Sequence, residues 1–203
     1  MMLWFFINKQ LLSPLKNRFL IQPFVLCVLM CLIACNRNKH MDKSTFFFQK
    51  IDNEIITDSN FEIPKPLGWT NDYADLFTDE EIVYLDSLSA SYEKKTSVEI
   101  VIVTIPSFLV SEADFEPYTL SILNEWGIGK PEKNNGILIA IAPKYGRLRI
   151  QNGFGIKKFL SNKQTKEIID SVFVPHFSEK DYFEGTKQGI KAIMAVLTKH
   201  GIK

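Results

Sequence analysis

The sequence predicts a single α/β domain in which a mixed, mainly parallel sheet lies between helical layers. Two runs of mostly β-branched and other apolar residues, 98–105 and 136–142, have the continuous apolarity of strands that are buried on both faces. A helical segment separates the two runs, and a crossover of this kind joins parallel strands. A third strand is predicted directly after a short turn, so it runs antiparallel to the second and makes the sheet mixed.

The first predicted helix covers about 79–94 and follows a capping box. Thr78 is placed to accept from the backbone of Glu81, and the Glu81 carboxylate is placed to reach back to the amide of Thr78. Apolar side chains then recur at helical spacing, at Ile82, Leu85, Leu88 and Tyr92.

The middle of the domain is predicted as a helix over 115–126 and a hairpin over 136–151. The helix is bounded by residues that interrupt helices, at Gly127, Gly129 and Pro131. Residues 143–146 read Pro-Lys-Tyr-Gly, a turn that returns the chain as a strand over 147–151.

A C-terminal pair of helices is predicted over about 163–174 and 181–197. Pro175 is expected to separate them, because proline lacks the amide hydrogen that continues a helix. Asp181 is favoured as the N-cap of the last helix. The flexible loop before the pair contains Gly153 and Gly155, which favour a tight turn with positive φ over a phosphate-binding loop.

The N-terminus is predicted to be a lipoprotein-type signal peptide. Three basic residues and no acidic one precede the apolar run 19–33, which is short for a membrane-spanning helix. The tetrapeptide Leu-Ile-Ala-Cys at 32–35 resembles a bacterial lipobox, in which the cysteine receives lipid. The alternatives are an uncleaved anchor with an incidental cysteine and, less favoured, a cleaved signal without lipid. The predicted organisation is a signal at 1–34, a tether at 35–66 and a folded domain at 67–203.

Removal of the signal changes the composition of the chain. It takes three of the 24 basic residues and none of the 23 acidic ones, which leaves 21 basic and 23 acidic residues. This balance argues against nucleic-acid binding through a basic domain. Cys27 and Cys31 leave with the signal, so Cys35 is the only cysteine that remains and the folded part contains no thiol.

The sequence contains no recognised catalytic motif, so the candidate chemistry rests on scattered side chains. No nucleophile elbow, Walker loop or zinc helix is present. Asp72 and Asp181 lie at predicted loop edges, where carboxylate oxygens would suit Ca²⁺ or Mg²⁺. Arg149 could bind an anion or pair with a carboxylate, and the pairing is favoured.

Several motifs between residues 69 and 197 together resemble the TPM domain family. That family includes thylakoid-lumen photosystem II repair proteins and many secreted or membrane-bound bacterial proteins. The matching segments are Asn-Asp-Tyr-Ala at 71–74, Asn-Glu-Trp-Gly-Ile-Gly at 124–129, Asn-Asn-Gly-Ile-Leu-Ile at 134–139, Arg-Ile-Gln-Asn-Gly-Phe-Gly at 149–155 and Asp-Tyr at 181–182.

The resemblance implies an α/β/α sandwich and a location outside the cytoplasm. Some members of the family are described as acid phosphatases, some bind Ca²⁺ or similar cations, and others are accessory proteins of membrane complexes. The family pattern places a candidate site in a cluster of loops at Asp72, Asn135, Arg149, Gly153, Gly155 and Asp181.

Two departures from the family pattern remove negative charge. Lys157 stands where the family has a glutamate, and Asn162 stands where it often has an aspartate. Because carboxylates supply most of the affinity for Ca²⁺ and Mg²⁺, we expect weakened or lost binding of these metals.

The sequence thus leads to a functional expectation and two alternatives. The expectation is a lipid-anchored, extracytoplasmic binding or accessory protein at the cell membrane or outer membrane, with a membrane-protein partner. One alternative is a weak metal-assisted acid phosphatase with Asp72 and Asp181 as metal ligands and Arg149 as phosphate clamp. The other is a purely structural lipoprotein.

Overall fold

The computed structural model describes residues 61–202. The predicted signal, the lipidation residue Cys35 and most of the predicted tether lie outside these residues, so their assignment stays a prediction. Between residues 61 and 202, no helix combines the length and the hydropathy that crossing a bilayer requires.

The elements follow one another in the order expected for an α/β domain. They are β1 (Thr70–Asp72), α1 (Asp79–Thr96), β2 (Glu99–Thr104), α2 (Phe115–Glu125), β3 (Gly136–Ala142), a 3₁₀ turn (Pro143–Tyr145), β4 (Arg147–Asn152), α3 (Phe154–Lys157), α4 (Asn162–Ile168), a π-helix (Ile169–Phe173), α5 (Val174–Ser178) and α6 (Tyr182–Lys199).

The four strands form one mixed sheet in the order β1-β2-β3-β4. β1 pairs parallel with β2 and β2 pairs parallel with β3, whereas β4 runs antiparallel to β3. We call the ends of the sheet the carboxyl edge, where β1, β2 and β3 end, and the amino edge, where they begin. At about 3.3 Å per residue, β3 separates these edges by roughly 20 Å.

Each face of the sheet is covered by helices and carries its own apolar core. On one face, α1, α4 and α6 pack over side chains of alternating strand positions, among them Ile100, Ile102, Ile137 and Ile139. On the other face, α2 packs over the intervening positions, among them Val101, Val103, Leu138 and Ala140. This arrangement confirms the predicted α/β/α sandwich with a mixed, mainly parallel sheet.

The capping prediction for α1 is confirmed. The Thr78 side chain accepts from the amide of Glu81, and the Glu81 carboxylate accepts from the amide of Thr78 at 2.9 Å. A second capping box, formed by Ser161 and Gln164, begins α4. The sequence carried the same signal there.

Two short elements were not predicted from the sequence. β1 has only three residues, and α3 occupies four residues of the segment that the sequence predicts as a flexible loop. The side chain of Asn71 in β1 is fully buried and donates to the carbonyl of Ile102 on β2 at 3.1 Å. A polar strand of this length shows no alternation of apolar residues, which explains the miss.

The prediction that Pro175 separates the C-terminal helices is wrong. Pro175 lies in α5 directly after the π-helix, where the amide of Val174 bonds the carbonyl of Ile169 five residues earlier and the widened turn accommodates the proline. The helical segment therefore continues through the π-helix and α5 to Ser178, and the break comes before Asp181. Lys180, with φ of 62°, carries the reversal of the chain at this break.

The last residues of the predicted tether, 61–66, lie along the α2 face of the domain. The ring of Phe61 packs edge-on against Tyr118 with centroids 5.2 Å apart. The indole nitrogen of Trp126 donates to the carbonyl of Pro64 at 2.8 Å. The chain therefore contacts the folded domain from residue 61 onwards.

Candidate functional site

The six site residues predicted from the sequence lie at different places on the sheet. Asp72 ends β1 and Asp181 precedes α6, both on the side of the carboxyl edge. Asn135 precedes β3, and Gly153 and Gly155 follow β4, all at the amino edge. Because the length of β3 separates the two edges, these five residues do not line one pocket.

Asp72 serves as an acceptor for the chain that follows it. Its carboxylate accepts from the amide of Leu76 at 2.8 Å and from the amide of Phe77 at 2.8 Å. The hydroxyl of Thr104, at the end of β2, also donates to it. These three donors fix the turn between β1 and α1 and occupy oxygens that a metal ion would use.

Asp181 is the N-cap of α6, as the sequence predicts. Its side chain accepts from the amide of Glu184 at 3.2 Å. The imidazole of His176, on α5, lies 3.7 Å from the other oxygen. This carboxylate therefore joins the ends of two helices.

Arg149 lies on β4 opposite Ala140, with its side chain on the α2 face of the sheet. Its guanidinium is 3.6 Å from the carboxylate of Glu116 on α2. This contact confirms the favoured pairing of Arg149 with a carboxylate. Asp72 and Asp181 belong to the face of α1 and α6, so the sheet separates the guanidinium from the layer that holds them.

Asn135 holds the amino edge together from a buried position. Its side-chain oxygen accepts from the amide of Lys130 at 2.9 Å, and its amide nitrogen donates to the carbonyl of Ser97 at 2.7 Å. The side chain thus ties the loop before β3 to the residue after α1, which is a structural use of its amide group.

Close contact with a neighbouring backbone segment, and not positive φ, explains why glycine is required at positions 153 and 155. Gly153 has φ of −57°, so the predicted left-handed turn is wrong. A Cβ atom at Gly153 would lie 2.3 Å from the carbonyl oxygen of Asn134. At Gly155 it would lie 1.9 Å from that of Lys133. The two glycines let α3 pack directly on the loop that enters β3.

The two charge departures from the family pattern also lie at the amino edge. Lys157 is exposed on α3, and Asn162 is the exposed first residue of α4. The charges that they remove therefore belong to the amino edge, a strand length from Asp72.

Two glutamates raise the pKa of one lysine at this edge. Lys130 lies 2.5 Å from the carboxylate of Glu99 and 2.9 Å from that of Glu93. Hydrogen bonds to Glu99 and then to Glu93 raise the pKa of Lys130 well above its usual value. Lys130 thus links Glu93 near the end of α1 to Glu99 at the start of β2.

The described residues offer little support for a metal centre. Between residues 61 and 202, no group of three or more His, Cys, Asp or Glu side chains is arranged to hold a metal ion. Ca²⁺ takes six to eight oxygen ligands, and the oxygens of Asp72 already accept from three protein donors. The hydrogen bonds of Asp72 therefore do not fit its predicted role as a ligand of the metal that the family resemblance implies.

Sequence reasoning missed a pocket at the carboxyl edge. It has a volume of about 250 Å³ and lies between the β3–β4 hairpin and the start of the C-terminal helices. Arg147 is its only charged lining residue, and most of the wall is apolar, including Ile141, Leu148, Val174, Phe177 and Tyr182. The rule that ligands of α/β sheets bind beyond the carboxyl ends of the strands was the signal that could have found it.

Arg147 itself is held by acidic side chains of the α2 region. Its guanidinium lies 3.6 Å from Glu116 and 4.0 Å from Glu112. Arg147 pairs with Ala142 of the α2-face core, so its guanidinium lies on that side of the sheet, whereas Phe177 and Tyr182 of the pocket wall pack with the other core. The pocket therefore has mostly apolar walls, a composition suited to binding, and it lacks a nucleophile paired with a base.

Comparisons with known proteins agree with this fold. The N-terminal domain of a protein from P. gingivalis is 28% identical with a TM-score of 0.59, and the match covers 65% of this chain and 83% of that one. The BA42 protein from Bizionia argentinensis is 21% identical with a TM-score of 0.55, over 63% of this chain and 86% of that one. No curated protein sequence matches the chain.

The family comparison covers almost the whole described domain. A family model described as TPM domain matches residues 70–196, from the first residue of β1 to the last turns of α6. The fold and its bounds agree with the resemblance that the motifs suggested, and the chain belongs to the TPM domain family.

Proposed function

We propose that this chain is a lipid-anchored, extracytoplasmic TPM-domain protein that acts as a binding or accessory module at the cell envelope. The apolar pocket at the carboxyl edge carries the proposal, because it offers a surface for a ligand without the groups of a hydrolytic centre. The basic lead, the apolar run and the lipobox-like segment ending at Cys35 support the anchor.

A membrane-protein segment is the partner class that we favour for the pocket. Val174 and Phe177 present apolar surface there, and Val174 remains 47% exposed. Such a surface gains free energy when a partner side chain covers it. Anchoring at Cys35 would confine the domain to the membrane surface, where the loops of integral proteins are concentrated.

A metal-assisted phosphatase has less support. The name of the family model contains the word phosphatase. Against this stand the three donors that occupy Asp72 and the placement of Arg149 on the other face of the sheet. Hydrolysis through a metal-activated water needs ligands and a phosphate clamp in one site.

Site-directed photocross-linking tests the binding proposal. A photoreactive amino acid at position 174, inside the pocket, is expected to capture a specific envelope protein in intact cells. The same amino acid at position 83 of α1, where Val83 is 68% exposed, serves as the control. Identical products at the two positions, or none at 174, would count against a partner at the pocket.

The phosphatase alternative has its own test. The unfolding temperature is expected to stay unchanged in millimolar Ca²⁺ or Mg²⁺, since a ligand that binds the native state must raise it. Phosphatase activity is expected to equal that of Asp72→Asn. A metal-dependent rise in the unfolding temperature, together with activity lost in Asp72→Asn, would establish the enzyme instead.

A further inference from the structure

The amino edge of the domain carries a concentration of lysines next to an exposed aromatic ring. Lys94 and Lys95 form the last turn of α1, and Lys157 and Lys158 lie on and just after α3. Phe154 begins α3 and is 80% exposed. We call these residues, together with Lys133, the basic edge.

Close contacts hold the members of the basic edge side by side. The ammonium group of Lys133 donates to the hydroxyl of Ser97, just after α1, at 2.8 Å. The amide of Gly155 in α3 donates to the carbonyl of Asn134, next to Lys133, at 2.9 Å. One cleft is lined by residues from the end of α1, the loop before β3 and α3, including Ser97, Lys133 and Lys158. Lys133 and Lys158 therefore line one cleft, and Lys95 and Lys157 are sequence neighbours of the lining residues Thr96 and Ile156.

Acidic side chains at this edge do not balance the lysines. Glu93 and Glu99 both lie within 2.9 Å of the ammonium group of Lys130, which is a sixth cation of the region. Glu132 lines the cleft beside Lys133. Glu125, the exposed last residue of α2, is a fourth glutamate at this edge. Six lysines thus face four glutamates, although the chain without the predicted signal carries slightly more acidic than basic residues.

The opposite edge has the reverse character. α1 begins there with Asp79, Glu80 and Glu81, and the loop before α2 contains Glu112 and Asp114. Lys144 and Arg147 also lie at this edge, but the five acidic residues outnumber them. The domain is therefore electrically polarised along its strands, with the positive end at the amino edge. Such polarity orients a protein toward a negatively charged surface.

Phe154 adds an apolar element to the basic edge. Its ring is exposed, and the ammonium group of Lys157 lies 4.6 Å from the ring centroid. An aromatic ring flanked by lysines is typical of segments that enter the lipid headgroup region, because the ring leaves water while the ammonium groups meet phosphates.

We propose that the basic edge docks on an anionic phospholipid surface, with Phe154 entering the headgroup region. The proposal deepens the function proposed above and rests on it, since the lipid anchor would bring the domain to a membrane. Docking by the amino edge turns the carboxyl-edge pocket away from the lipid and toward proteins. Lys157, a departure from the family pattern, would then strengthen membrane contact.

Vesicle binding of the mature chain carrying Cys35→Ser tests the docking separately from the anchor. Vesicles of equal parts phosphatidylglycerol and phosphatidylcholine are compared with vesicles of phosphatidylcholine alone by co-sedimentation. We expect binding to the anionic vesicles only, and loss of that binding at high salt. Because one lysine near an anionic surface contributes roughly fivefold in affinity, Lys157→Glu is expected to weaken binding at least fivefold.

Matched variants at the carboxyl edge control for charge and apolarity. Lys144→Glu makes the same charge change in the turn between β3 and β4. Phe154→Ser is compared with Phe108→Ser, since Phe108 is 82% exposed and follows β2. We expect weaker binding in the amino-edge variants and unchanged binding in the controls, with unfolding temperatures of all four near that of the parent.

Three outcomes would overturn the proposal. They are equal binding to both kinds of vesicle, no binding to either, and equal weakening by Lys144→Glu and Lys157→Glu. No binding to either kind of vesicle would leave an acidic protein as the partner of the basic edge. None of these results bears on lipid attachment at Cys35, so the anchor and the docking surface can fail independently.

Discussion

A single aspartate illustrates how a candidate ligand can be a structural residue. Asp72 follows a buried strand position and precedes a helix, where a metal ligand of an α/β protein would be expected. Its carboxylate instead accepts from two backbone amides and from the hydroxyl of Thr104. The negative charge strengthens these hydrogen bonds, so Asp72 stabilises the turn that leads into α1.

Asp72→Ala is expected to lower the free energy of unfolding by roughly 2–4 kcal/mol. The substitution leaves donors without their acceptor, and bonds to a charged group are worth about 1.5–3 kcal/mol each. Urea denaturation measures the change. Glu80→Ala, at an exposed position of the first turn of α1, is the control and is expected to cost about 0.5 kcal/mol. Equal losses in the two variants would contradict a structural role for Asp72.

Burial of Tyr118 predicts a pH dependence of stability. Burial, with smaller contributions from nearby Tyr73, Glu62 and Glu125, raises the pKa of Tyr118 from 10.0 to about 12. The phenol is therefore neutral in the folded chain at a pH where it ionises in the unfolded chain. Its contribution to stability is complete below pH 10 and is lost as the pH rises toward 12.

Tyr118→Phe isolates this contribution, because it keeps the ring and removes the ionisable group. The free energy of unfolding should fall more steeply between pH 10 and 12 in the parent than in the variant, as followed by urea denaturation. Parallel curves over that range would show that the Tyr118 hydroxyl ionises as easily in the folded chain as in the unfolded one.

At the scale of elements, the sequence was informative where a local signal was long and apolar. β3 matches its predicted bounds, and α1 begins at the predicted capping box. β1 and α3 were not predicted because each is too short to show a periodic pattern of apolar residues. Their positions depend on tertiary contacts, such as the buried amide of Asn71 and the approach of Gly155 to a backbone carbonyl.

The packing of α6 depends on a glycine inside the helix. A Cβ atom at Gly189 would lie 2.0 Å from the ring of Phe173, which is fully buried in the π-helix. Gly189→Ala would add helix propensity worth about 1 kcal/mol. We expect net destabilisation by roughly 1–3 kcal/mol all the same, because overpacking of a close-packed core costs more.

A double-mutant cycle with Phe173→Leu tests this contact. Thermal unfolding of both single variants and the double variant gives the coupling energy. The two substitutions should be less destabilising together than the sum of their separate effects, since the smaller side chain makes room for the methyl group. Additive effects, or a more stable Gly189→Ala protein, would show that α6 is not held at this distance by Gly189.

For the whole molecule, the family and the fold could be predicted, but the site could not. The motifs around Asn135 and Gly153 are specific, yet motif order does not show which edge of a sheet each loop joins. The register does, because Gly136 pairs with Glu99 at the amino edge whereas Thr104 pairs with Asp72 and Ile141 at the carboxyl edge. The pocket was also not predicted from the sequence, because its walls are ordinary apolar residues.

The two ends of the domain have different proposed partners. The apolar pocket lies at the carboxyl edge, and the lysines with Phe154 lie at the amino edge. One end is proposed to meet a protein and the other to meet lipid. The arrangement has a use only if the chain is held at a membrane, so both proposed roles depend on the lipid anchor.

Metabolic labelling with a palmitate analogue, followed by membrane fractionation, tests lipid attachment at Cys35. We expect that the parent chain is labelled and sediments with membranes, and that Cys35→Ala loses the label and leaves the membrane fraction or is retained as an unprocessed precursor. Cys31→Ala, four residues earlier, should behave like the parent. A label that persists in Cys35→Ala, or that is lost equally in Cys31→Ala, would contradict lipid attachment at Cys35.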